Sequence, residues 1–493
     1  MRRFFPPLQN TAWLALLFFF VAIAIYSPIL LQQDLDYDEG INLMKALLFQ
    51  RGYALYTEIW SDQPPLLTAL LAGWFALVGD SVLAGRVLIL AFAAGLVWTM
   101  HNALYRHTSG LAALGAVALL LFSQEFIRLS SSVMIGLPAL ALAMVALWLL
   151  LRYRDTDRGI WLALSAIAMA CAAQIKLWAV VAVPAALLYL LLSDAARPHA
   201  VRISRRTLLE TVGWLIVTGI GYVVIGFVFG ALRMDQLIAP HFDADTRTAF
   251  LYTNNLLYLR YAMQRHIPYL LLALVGVIWA ARWRQMEIIL PLVWFGASVV
   301  ALAVQRPLWH HHITLFTIPL CWLSAYGIQA GVQVVQSIAQ TPQKSRGEIL
   351  RTYGLCVLAT GFLIAILFYP APIYALIRQE SHSNLPIYNR QMVDHLRQDV
   401  QSAPGIIFTD RPFYAFQVHA LTPPETAVIS RKRLQSGDIT DDMLVQMLEK
   451  YAPPYLVLER FTSIYGENFL RMVHDRYSLR FEVDSSQYYV LNY

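Results

Sequence analysis

The sequence predicts a mainly α-helical polytopic membrane protein: about eleven transmembrane helices, interfacial helices in the first outer loop, and a small C-terminal α/β domain. Three observations predict it. Of 493 residues, 58% are apolar and only 14% charged, whereas soluble proteins average about 25% charge. Mean hydropathy is +0.53, and the apolar residues gather into runs of membrane-crossing length. Composition then shifts: residues 372–493 are more polar, with short apolar stretches separated by helical periodicity. The expected division is therefore a membrane domain over 1–371 and an extracytoplasmic domain over 372–493.

The apolar runs fall at 11–31, 82–105, 111–123, 133–151, 160–175, 177–193, 208–231, 267–281, 287–304, 313–331 and 353–371. The first, behind Met-Arg-Arg-Phe-Phe, exceeds a usual signal-peptide core and reads as an uncleaved span. The segment 66–79 begins after Pro64-Pro65 and ends at Gly79. Its helix would rise only about 21 Å, short of the roughly 30 Å hydrocarbon core, so it is expected to lie in the interface.

Basic residues then fix the orientation. With the N-terminus inside and 66–79 not crossing, Arg106, Arg152/Arg154/Arg158, Arg197/Arg202/Arg205/Arg206, Arg282/Arg284 and Lys344/Arg346/Arg351 all face the cytoplasm. The C-terminus is then outside a plasma (inner) membrane, as is the first loop. A formal charge of +6, scattered between apolar runs, gives no nucleic-acid footprint. Cys171, Cys321 and Cys356 lie in apolar segments and form neither a disulfide framework nor a C-x-x-C pair.

In the C-terminal region, GIIFT (405–409) and YLVLE (455–459) read as strands. ITDDMLVQMLEKY (439–451) reads as a helix with Thr440 as candidate N-cap. No nucleotide-binding loop is present.

Polar chemistry concentrates on the outer side. DLDYDEG (34–40) puts four carboxylates beside a span, where ionisable groups are costly unless paired or used. A calcium loop starting at Asp34 fails, because Glu39 stands where the glycine must be and Lys45 where the bidentate glutamate must be. Ile41–Phe49 suits a short amphipathic helix, and Asp62 precedes the two prolines at a fixed helix entrance. Lys176 lies where two apolar runs meet, either snorkelling or binding a phosphate. QRPLWHHH (305–312) supplies Arg306, Trp309, His311 and His312 for headgroup contacts; three consecutive imidazoles lack zinc-ligand spacing. HFDADTR (241–247), with its Asp243-x-Asp245, reads as an ordinary polar loop over the cavity.

Together, the Asp38-Glu39 pair after the first span, WSDQPPL (60–66) before an interfacial helix and WHHH (309–312) before a late span resemble the GT-C membrane glycosyltransferases. The branch is that of protein O-mannosyltransferases and the lipid A aminoarabinose transferase. The resemblance covers roughly 1–371, most specifically 34–86. It implies a polyprenyl-phosphate sugar donor, a lipid, glycan or protein acceptor, transfer on the non-cytoplasmic face and inversion at the anomeric carbon.

It also implies Asp38 as catalytic base. Glu39 and Asp62 then shape the acceptor–sugar pocket, while Lys176, Arg306, His311 and His312 attend the phosphate. No residue is assigned to a metal, and use of a divalent cation is left open. Many relatives carry lysine immediately before Pro-Pro where Gln63 stands here, so the phosphate must find its cation elsewhere. Many also carry an acid near Gly136. Two alternatives remain: a transporter or flippase of a lipid-linked glycan, which would favour midplane charges and repeated halves, and a non-catalytic relative in envelope assembly.

Overall fold

A computed structural model of the chain describes residues 11–30, 36–193, 204–230, 233–237, 255–305, 308–340 and 390–492. The expected span 353–371, the 371/372 boundary, Cys356, Arg197, Arg202, Lys344, Arg346, Arg351, Asp34, Arg306 and the 241–247 segment lie outside these residues. The membrane part contains α1 (Ala12–Leu30), α2 (Tyr37–Gln50), α3 (Leu66–Val78), α4 (Val82–His107), α5 (Gly110–Leu121) and α6 (Gln124–Ser130). It continues with α7 (Gly136–Thr156), α8 (Gly159–Ile175), α9 (Val183–Ser193), α10 (Arg205–Val228), α11 (Asn255–Arg265), α12 (Ile267–Trp283), α13 (Ile289–Val304) and α14 (Thr314–Gln340).

Among the described residues, five helical segments are long and apolar enough to cross a membrane. The number rises to seven if two bent pairs each count as one span. Those pairs are α5 with α6, bent by 80°, and α11 with α12, bent by 75°. Ser123 caps α6 by accepting from Phe126 N–H. Four shorter apolar helices, including α3 and α8, complete the bundle. Small residues let some helices touch backbone to backbone: a Cβ on Gly276 of α12 would sit 2.6 Å from the carbonyl oxygen of Leu323 in α14.

One end of the bundle is laced with charge. Arg106 pairs with Asp155, Arg154 and Arg206 with Glu210, and Arg206 also with Asp157. These groups cluster at the C-terminal ends of α4 and α7 and the N-terminal end of α10.

The C-terminal domain comprises α15 (Arg390–Ser402), β1 (Ile407–Thr409), α16 (Phe413–Gln417), α17 (Asp441–Tyr451), β2 (Tyr455–Leu458), α18 (Glu467–Arg476), β3 (Tyr477–Val483) and β4 (Ser486–Leu491). Both predicted strands form, and Thr440 caps α17 by accepting from Met443 N–H at 3.3 Å. The sheet order is β1-β2-β4-β3, with β1 and β2 parallel and the other pairs antiparallel. The parallel pair brings Asp410, just past β1, beside the turn that follows β2.

Asp410 is fully buried. Its carboxylate accepts backbone N–H groups of Glu459, Arg460 and Phe461 and the Tyr465 hydroxyl, at 2.9–3.2 Å. Burial outweighs these bonds and pushes the carboxyl up to about 6.

The domain rests on α2 and α3. At Gly40 a Cβ would meet Phe413 N at 2.6 Å, so only glycine permits this approach. Phe416 packs on Phe75 with centroids 5.8 Å apart, and the Arg433 guanidinium lies 4.3 Å from the Trp60 ring. With this cover, α2 is buried continuously from Glu39 to Leu48. The amphipathic helix expected over 41–49 is thus an internal one, charged residues included.

A raised carboxyl pKa favours the protonated fold, so its stabilisation is complete below the unfolded pKa near 4 and is lost as pH rises through about 6. The stability of wild type relative to Asp410→Asn should therefore fall by about 1 kcal/mol between pH 5 and 7.5. Thermal or denaturant melts of both full-length proteins at the two pH values check this; a pH-independent difference would refute it.

Candidate active site

The first turn of α2 divides its two acids. Asp36 caps the helix, its Oδ1 accepting from Asp38 N–H at 3.1 Å. Its other oxygen, Oδ2, lies 3.5 Å from His311 Nδ1. Asp38 and Glu39, one residue apart, diverge by the roughly 100° of a helical step.

Glu39, expected at the pocket, is instead wholly buried in a bidentate pair with Arg86 of α4 (2.8 and 2.7 Å). Its Oε1 also accepts Val133 N–H at 2.9 Å, while Asn42 Nδ2 donates to Val133 O at 2.9 Å. Glu39 therefore fastens α2 to α4 and to the turn preceding α7.

Asp38 lines a small cavity of about 30 Å³ that opens to the outside. The residue is exposed to this cavity, while the surrounding protein desolvates its carboxylate. Burial, then the charge of Asp36, raises its pKa, against the opposing charges of His311, Arg460 and Lys176. The polar lining is Asp38, Lys176, His311, His312, Trp178 and Thr314; the remainder, including Leu129, Met134, Ile135, Leu140 and Leu315, is apolar. Gly136 also lines it, and a Cβ there would meet nothing within 4 Å. The place where many relatives carry an acid is thus open space.

The other polar groups around Asp38 come from separate elements. Lys176 follows α8, its Nζ 5.7 Å from the centre of the Trp178 ring. Burial lowers its pKa, against the pull of Asp38, Asp62 and Asp36. His312 stacks on Trp178 (4.4 Å, 24°), and its Nδ1 accepts Trp309 N–H at 3.2 Å. His311 meets His312 edge to face. Asp62 is half-buried and does not line the cavity, but its charge acts on Lys45 and Lys176. Arg306 lies outside the described residues. Among those residues, no three His, Cys, Asp or Glu side chains gather to hold a metal ion.

Two residues escape the sequence reading. Lys45 is buried, donates to Ser61 Oγ at 3.3 Å, and feels Asp62 and Asp38, while burial lowers its pKa. Its signal is spacing: Lys45 stands seven residues after Asp38, two turns along one helix face. Arg86 is the other, an arginine five residues into an apolar helix that needs a buried partner.

Residues 62–226 match the family described as dolichyl-phosphate-mannose-protein mannosyltransferase. The matched segment spans α3 to α10 and includes Asp62, Arg86 and Lys176; Asp38, His311 and His312 lie beyond it.

The fold extends the likeness to nearly the whole chain. ArnT from Cupriavidus metallidurans bound to undecaprenyl phosphate aligns over 98% of this chain and 98% of its own, with TM-score 0.63 and 14% identity. Its apo form gives 0.63 and 12% identity over 96% and 97%. The Archaeoglobus fulgidus oligosaccharyltransferase in the apo form gives 0.56 and 12% identity over 96% of this chain and 73% of its own. No curated protein sequence matches significantly.

The two adjacent acids should part company under mutation. Glu39→Gln leaves the Arg86 charge buried and underpaired, and should destabilise the protein by about 3 kcal/mol or more. Asp38→Asn should change stability by less than about 1 kcal/mol. Thermal midpoints of the purified full chain separate the two; equal losses would refute the division.

Proposed function

We propose that this chain is an inverting glycosyltransferase. It moves a sugar from a polyprenyl-phosphate donor to a hydroxyl of a lipid, glycan or protein acceptor on the non-cytoplasmic face. One observation carries the reading: a carboxylate, a lysine and two histidines occupy the polar part of a cavity otherwise walled by apolar side chains. Such a cavity suits an amphiphile with an anionic head. The family segment and an ArnT fold seen with undecaprenyl phosphate support that chemistry.

In the proposed reaction Asp38 takes the acceptor's hydroxyl proton as that oxygen bonds to the anomeric carbon. The bond from that carbon to the phosphate oxygen breaks on the opposite face, and its electron pair leaves with polyprenyl phosphate. Inversion follows from the single displacement. A pKa raised by burial brings Asp38 closer to the working range of a general base. Lys176, whose ammonium has no carboxylate at ion-pair distance among the described residues, is available to the departing phosphate with His311 and His312. Lys45, on the Asp38 face of α2, supplies positive charge where Gln63 cannot.

Asp38→Asn should lower transfer at least about 100-fold, the usual lower bound for a general base, while donor binding persists. The measurement is transfer by purified protein from polyprenyl-phosphate sugars to lipid or glycan acceptors. Undiminished transfer would remove Asp38 from this role.

Eleven crossings with the cavity outside is the topology we infer from the charge pattern. The arginine-bearing end of α7 lies opposite its cavity end, in keeping with it. Single cysteines at Gln63 and Ser204 should label from opposite sides of the membrane; same-side labelling would overturn the arrangement.

A further inference from the structure

The C-terminal domain places two arginines over one aromatic ring, that of the residue next to Asp38. Tyr37 precedes Asp38 on the first turn of α2. The Arg411 guanidinium lies 4.8 Å from the Tyr37 ring centroid, and that of Arg460 lies 3.9 Å from it. Their circumstances differ. Arg411 is buried and neutralised by Glu459, which also accepts the Tyr414 and Ser486 hydroxyls. Arg460 is half-buried, and among the described residues its guanidinium has no carboxylate at ion-pair distance.

The backbone presenting Arg460 is nevertheless held firmly. Asp410 accepts the N–H groups of Glu459, Arg460 and Phe461, and Arg411 grips Glu459 from the side. A fixed main chain with an uncompensated guanidinium stacked beside Asp38 is the arrangement of an anion contact, not of a structural pair. Its charge already acts on Asp38 across the domain junction.

We propose that Arg460 is a specificity-determining contact of the donor site, its guanidinium binding the polyprenyl-linked phosphate, so that the site is incomplete without the C-terminal domain. The inference rests on the donor class proposed above. Arginine suits the role because its planar fork offers two parallel N–H groups to two phosphate oxygens, and the Tyr37 ring fixes the plane of that fork. Lys176 contributes a point charge from the membrane domain, Arg460 directionality from the outer one.

The test is discrimination between undecaprenyl phosphate and undecaprenol, which lacks the phosphate, by full-length protein in lipid nanodiscs. Wild type should prefer the phosphate at least about 10-fold. Arg460→Gln should reduce that preference about 10-fold, with undecaprenol affinity and thermal midpoint unchanged, since a bidentate charged contact is lost. Arg460→Lys should keep only part of the preference, and Tyr37→Leu should lower it by releasing the fork. A structural role alone would not shift discrimination between head groups. Should Arg460→Gln fail to fold, Arg460→Lys and Tyr37→Leu carry the test; full preference in both would overturn the proposal. Wild-type preference retained in folded Arg460→Gln would overturn the Arg460 assignment while leaving the donor class standing. Absence of preference in wild type would overturn the donor class itself.

Discussion

The site depends on one buried ion pair, Glu39 with Arg86. Two charges taken out of water are tolerable only when geometry is close to ideal and the remaining lone pairs are used. Here the pair is bidentate, and Glu39 spends a further lone pair on Val133 N–H. That arrangement fixes α2 against α4 and sets the turn into α7. Because Asp38 is one helical step from Glu39, fixing Glu39 also fixes the direction in which Asp38 points. The same turn delivers Met134, Ile135 and Gly136 to the cavity wall. Two adjacent acids thus part ways, and the rotation of the helix sends Glu39 to Arg86 and Asp38 to the cavity.

Around Asp38 the protein assembles positive charge from distant parts of the chain. Lys45 comes from the same helix, Lys176 from the joint after α8, His311 from the entrance to α14, and Arg460 from the outer domain. A raised carboxyl and lowered lysines in one enclosed space share a cause, desolvation, which favours neutral forms of both. An incoming phosphate reverses that balance for the lysines, because an anion favours their charged form.

Local signals were legible in the sequence. Pro64-Pro65 gives the start of α3, Thr440 caps α17, and the apolar runs yield the helices, because each depends on neighbours a few residues away. Asp38, Lys176, His311 and His312 stand out in the sequence because charge beside long apolar runs demands an explanation, and the fold brings these four to one cavity. What depends on contacts between distant segments was not. Nothing near Glu39 names Arg86 as its partner, so the acid beside Asp38 read as a pocket residue. The bend between α5 and α6 follows from a serine cap inside an apolar run, which hydropathy averages away. Arg460 and Asp410 sit in an ordinary-looking polar domain, and only the parallel pairing of β1 with β2 brings them together.

Gly40 against Phe413 has a consequence for how the protein is made. The helix that bears Asp38 leaves the ribosome several hundred residues before the surface that covers it. Until that surface arrives, α2 lacks the neighbours that exclude water from its outer side. Both segments must also reach the same side of the membrane before they can meet. Completion of the site is therefore tied to completion and correct delivery of the whole chain, and a truncated or misrouted product would carry the acid without its surroundings.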